Sequence, residues 1–313
     1  MFPRSHCASP GCAPADDAQA SAPRQRQWLG ATTALQTTAL LLGIMLCGTS
    51  AVRAEIVAQA TATRAARASA TRSIPLDRLD PEMREKVSAI VSKPTIFRRL
   101  PIQVIDCDPN LYSFLIENPE VVVNIWEVMG ISKVTLKRTG PDTFSASDGA
   151  GTLGNLTFVY SDHDTQVIYA EGSYEGPLFS RPLKARCVLV LKSAYRRETN
   201  DRYYVTARLD AFIHIENVGF ELLARSFQPL ITKSADYNLA ETAAFVSTVS
   251  RTAEANTRGM ARLAGKLGHV EPEIRTQFAT VSAQVARDAQ ERRKLQVASR
   301  ETTTAKRRKV AER

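Results

Sequence analysis

The chain has 313 residues, 44% apolar and 23% charged, which is the balance of ordinary globular protein in one or two domains and excludes a wholly disordered chain. The formal charge of +9 is unevenly placed: residues 95–255 sum to −3 and residues 256–313 to +8. The basic excess therefore concerns the partners of the C-terminal segment and does not make the body of the protein a nucleic-acid binder.

In chain order, the first 54 residues read as a signal segment. Arg24 and Arg26 precede an apolar stretch from Trp28 to Cys47, and the exit after it is built of small residues, with Val52 and Ala54 at positions −3 and −1 of a cleavage site before Glu55. Export to a periplasm or the exterior is the expectation, with membrane anchoring as the alternative if the leader is uncleaved. Against an uncleaved span stand the threonines and Gln36 inside the run, since a spanning helix needs about 20 mainly apolar residues. Three of the five cysteines lie in the leader. The remaining pair, Cys107 and Cys187, do not make a disulfide scaffold at this length, and their apolar settings suit buried free thiols.

Residues 55–94 read as a linker and a short helix. The Ala-, Thr- and Arg-rich run to 75 has no strand or helix period, whereas Asp80-Pro81 predicts a capped helix that Pro94 ends. Residues 95–256 carry the domain. A strand over 96–107 is followed by two helical pieces, one opened by Asp108-Pro109 and one running from Asn118-Pro119 to Gly130. The period then becomes two. Strands are predicted at 132–138, 143–147, 151–160, 166–175, 184–195 and 202–215, joined by turn-forming spacers that imply an antiparallel meander. In the last two strands an apolar set alternates with a charged set, so the sheet is expected to have one dry face and one wet face. From Gly219 the pattern is helical to about Glu254, with Pro229 as a break or kink. Residues 257–313 read as a basic helical extension, dispensable for folding, in which Ile274, Phe278, Val281 and Val285 form a stripe.

This order, with Pro109, Pro119 and Trp126 in the two-helix piece, Phe212-Ile213-His214-Ile215 closing the strands and the long helix after them, resembles the helix-grip fold of the START and pollen-allergen superfamily (SRPBCC), which includes polyketide cyclases and quinone-binding proteins. The resemblance covers residues 95–256. It implies an α+β fold in which a curved antiparallel sheet of six to seven strands grips a long C-terminal helix around an apolar cavity. Relatives bind lipids, sterols or quinones and a minority are enzymes, a choice that fold alone does not make.

On that reading the expected function is an exported, non-enzymatic carrier of an apolar, lipid-like molecule. The expected cavity lining is Trp126, Leu136, Phe158, Tyr169 at a rim, Leu189, Leu191, Leu209, Ala211, Ile213 and Val246. The alternatives are an interaction module using the C-terminal helices and a cyclase- or hydrolase-type enzyme on the same fold. No catalytic residue, cofactor or metal is assigned. Gly149-Ala150-Gly151-Thr152-Leu153-Gly154 has the spacing of a dinucleotide loop but precedes a strand instead of a helix, so a glycine-rich hairpin is expected. Asp162-His163-Asp164 reads as a turn, and His214 with Asp210 and Glu216 as a solvated polar face. The run Lys306, Arg307, Arg308, Lys309 fits an anionic membrane surface; with export, nucleic acid is not expected.

Overall fold

The computed structural model describes residues 55–176, 182–216 and 218–311, without the side chains of 55, 218–231 and 299–311. In chain order the elements are β1 (Glu55–Ala58), α1 (Arg64–Arg72), α2 (Pro81–Ser92), β2 (Ile96–Arg99), β3 (Ile102–Asp106), α3 (Pro109–Glu117), α4 (Pro119–Val128), β4 (Thr135–Gly140), β5 (Thr143–Ser147), β6 (Thr152–Ser161), β7 (Thr165–Tyr174), β8 (Leu183–Arg197), β9 (Tyr203–Ile215), α5 (Val218–Ala255), α6 (Thr257–Lys266) and α7 (Pro272–Ala311). The fold is α+β.

Local chemistry sets the helix starts. Asp80 accepts from the Glu82 and Met83 amides and Asp108 from those of Asn110 and Leu111, each followed by a proline whose missing N–H costs nothing in a first turn. Helix α5 runs through Pro229 without interruption, where a break or kink is expected from the sequence.

The sheet is antiparallel throughout, in the order β1-β3-β9-β8-β7-β6-β5-β4, with β2 also on β9. It has nine strands where six to seven are expected. Ile96 pairs with Ile213 and Gln103 with Ala207, so β2 and β3 are halves of the one strand expected over 96–107. Pro101, which cannot donate to a ladder, sits at the break. The other addition, β1, pairs with β3 inside the segment read as a linker.

Both faces of the sheet carry a helical cover, one of them over part of its area, which corrects the expectation of one wholly wet face. On the face we term the α5 face, Ile105 and Val205 pack with Leu111, Ile125, Val246 and Val249. On the opposite α2 face, Val188, Val190 and Phe212 pack with Val87 and Ile90 of α2 and Ala66 and Ala70 of α1. The cover was hidden because its buried stripe, Ala66, Ala70 and Ile74, is mostly alanine, too weakly apolar to stand out among arginines. Thr63 caps α1 by accepting from Ala66 N.

The core also passes the boundary expected at 256. Met260, Leu267, Phe278 and Val285 are fully buried in the same cluster as Ile105 and Ile125. Phe278 of α7 stacks on Phe114 of α3 with ring centroids 6.0 Å apart. The extension is thus part of the core, and the expectation that it is dispensable is corrected. Each such side chain contributes about 1.5–3 kcal/mol by leaving water.

Candidate functional site

Ladder pairs share a face, so the register places each expected cavity residue. Phe158 pairs with Ile168, Ile168 with Leu189, Leu189 with Ala211, Leu191 with Leu209 and Cys187 with Ile213, all on the α5 face. Leu136 joins them through Ala146, Gly154 and Gly172. Val246 lies in the α5-face core, and Trp126 of α4 meets Phe245 of α5 edge-on at 5.7 Å. Tyr169 is the exception. It pairs with Val188, lies on the α2 face in the core beneath α2, and donates its hydroxyl to Glu171 at 3.1 Å. Burial and then the Glu171 carboxylate push this phenol above its ordinary pKa.

The α5 face has two zones. Toward β3, Leu191, Tyr195, Val205 and Ala207 meet the closed core, and Tyr112 and Ser193 share a hydrogen bond of 2.9 Å. Buried Gln103 and Gln166 lie on this side, and the side-chain oxygen of each lacks a hydrogen-bond partner among the described residues. Toward the other strand ends, Phe158, Ile168, Leu189, Leu209 and Ile213 form a strip of large apolar side chains that stay half-buried. Cys187 lies in the strip, and burial pushes its thiol up to about 11; Cys107 is buried outright and its thiol is also pushed up by burial. Both are free.

The α2 face carries a different feature. Where α1 and α2 no longer cover it, strands β4 to β8 form a groove of about 620 Å³. One row of its floor follows the ladder Lys137–Ser145–Asn155–Glu171–Arg186. A parallel row reads Thr135–Ser147–Leu153–Ser173–Lys184. The sequence signal for it is the period-two polar set in each strand, read as solvent-facing in β8 and β9. Between the rows Gly154 faces Gly172, where a Cβ would come 2.6 Å from the Leu153 carbonyl oxygen, so the strands approach more closely than a side chain permits. The Gly149–Gly154 run is the turn of the β5–β6 hairpin and the start of β6, with positive φ at Gly149 and Gly151.

The other motifs resolve into structural roles. Asp210 is fully buried and ion-paired to Arg99 and Arg208, which corrects its assignment to a solvated face; Glu216 pairs with Arg186 instead, so the trio with His214 is not one cluster. Asp162 turns the chain by accepting from the Asp164 and Thr165 amides. Among the described residues no group of three potential metal ligands is brought together. A network missed at the sequence level joins Asp106 to Arg202 and Arg251, and Glu254 to Arg202 and Arg292, tying β3, β9, α5 and α7.

No family model matches the chain, and no curated protein does. Among solved structures it is similar to apo dicamba monooxygenase, at 10% identity and a TM-score of 0.25. The alignment covers 67% of this chain and 60% of that one, and a likeness of this degree carries no argument about fold or function.

Proposed function

We propose that the protein is an exported, non-enzymatic carrier of an apolar, lipid-like small molecule, held between the α5 face of a curved, helix-gripping sheet and helix α5. The observation that supports this reading is the strip Phe158, Ile168, Leu189, Leu209 and Ile213. These are large apolar side chains in one contiguous patch, left half-buried beside a core that is otherwise closed. Contiguous apolar surface that the core does not close over is a feature of binding sites for apolar molecules. Export follows from the leader, with cleavage between Ala54 and Glu55. The basic run Lys306–Lys309, on the last turns of α7, is the proposed contact with an anionic membrane surface. The interaction-module alternative loses its stripe, because Phe278 and Val285 are buried and Ile274 and Val281 pack against the same core.

The test uses a neutral apolar fluorophore such as N-phenyl-1-naphthylamine. The parent protein is expected to bind it and Leu189→Trp to abolish binding with the unfolding midpoint retained. Leu189 suits the test better than Leu191, which packs against the closed core. Absence of probe binding by the parent, or a Leu189→Trp variant destabilised by about 1–3 kcal/mol as an overpacked core would be, overturns the carrier reading.

A further inference from the structure

The groove on the α2 face is separate from the apolar strip and, besides the exposed Leu153, carries charged and hydrogen-bonding side chains. Every described lining residue lies in β4 to β8 or is Glu216, so the ladder sets the geometry of this floor. Lys137 and Lys184 are exposed at opposite sides of it, and neither is in an ion pair among the described residues. On a flat sheet the four strand steps between them would span about 19 Å. Arg186 Nε is buried and sits 3.1 Å from Glu216 Oε1, so this guanidinium faces its carboxylate partner. Glu216 is paired with Arg186, Glu171 accepts from the Tyr169 hydroxyl, and Lys137 and Lys184 leave the lining with one positive charge in excess.

Between the cations the floor offers serine hydroxyls and the exposed Asn155 amide, groups that both donate and accept. Among the described residues no aromatic ring lines the groove, and the groups offered there are charged or hydrogen-bonding. The volume suits one small ligand, within the usual range of about 300–1,000 Å³.

We infer that this groove binds a polyhydroxylated anion, either a sugar acid or a sugar phosphate. Lys184 at one side or Lys137 at the other receives the anionic group, and Asn155 with the neighbouring serines takes the ring hydroxyls. The site does not depend on the carrier reading, since it lies on the other side of the sheet.

The experiment is calorimetric titration of the purified protein with D-glucuronate and D-glucose 6-phosphate, with D-glucose, acetate, inorganic phosphate and poly-glutamate as comparisons. At least one acidic sugar is expected to bind, more weakly as salt is added, and roughly tenfold or more tighter than glucose, acetate or phosphate. Binding of one acidic sugar and not the other assigns the anion as carboxylate or phosphoryl. The double variant Lys137→Ala/Lys184→Ala removes only exposed side chains and is expected to keep the fold while losing roughly tenfold or more in affinity; Asn155→Ala tests the hydroxyl contact alone. The inference is overturned if neither acidic sugar binds, if the simple anions bind as tightly, if the double variant binds unchanged, or if poly-glutamate binds and the sugars do not.

Discussion

Asp106 is one of the carboxylates that hold two arginines each. It is nearly buried and accepts from two arginines, Arg202 at 3.0 Å and Arg251 at 2.6 Å, while Glu254 holds Arg202 from the other side. Asp106→Asn keeps the shape and removes the charge, leaving Arg202 only one carboxylate. Breaking a fully buried pair costs about 3–5 kcal/mol; with Arg251 half-exposed, a loss of about 2 kcal/mol is expected in denaturant unfolding. A change under roughly 0.5 kcal/mol would mean that the network is a surface ornament. None of this was readable in sequence, because the partners come from β3, β9 and α5 and no spacing along the chain announces them. What single residues did show was parity: the alternation in β8 and β9 put Leu189, Leu209 and Ile213 on one face correctly. The alternation was silent on what covers the other face, so Asp210 was assigned to water when it lies beneath Arg99.

At the scale of elements, legibility followed the punctuation. Helices α2, α3 and α4 each begin at a proline after Asp or Asn, and all three were placed from those residues. The hairpin strands followed their turn residues. Helix α1 was missed because alanine is ambiguous between a helix stripe and a linker, and β1 because four residues leave no period to count. Helix α7 was found, but its role was misjudged. The stripe of Ile274, Phe278, Val281 and Val285 is the same in sequence whether it meets a partner or the chain's own α3. Phe278→Ala is expected to cost about 3–5 kcal/mol as a large-to-small core change, measured by thermal or chemical unfolding. A cost below about 1 kcal/mol would place α7 outside the core after all.

At the scale of the whole molecule, charge and fold are separable. Arg258, Arg262 and Lys266 are exposed at i, i+4 and i+8 on α6 and in no ion pair among the described residues, and they add a cationic row to the basic run of α7. Each such residue close to an anionic bilayer contributes about 1 kcal/mol. The protein is expected to co-sediment with vesicles containing phosphatidylserine at low salt and to be released as salt rises; replacing the three α6 cations by alanine should weaken the association. Equal binding to neutral vesicles would remove the electrostatic account. The strand order has a further, kinetic consequence. The two halves of the first long strand share one partner, β9, on the far side of the whole meander, although β3 also takes β1 on its other edge. The central pairing therefore waits for nearly the last strand to be made, and such long-range closure folds slowly, in about milliseconds to seconds. For the exported carrier proposed above, such a delay would keep the sheet open during passage across a membrane.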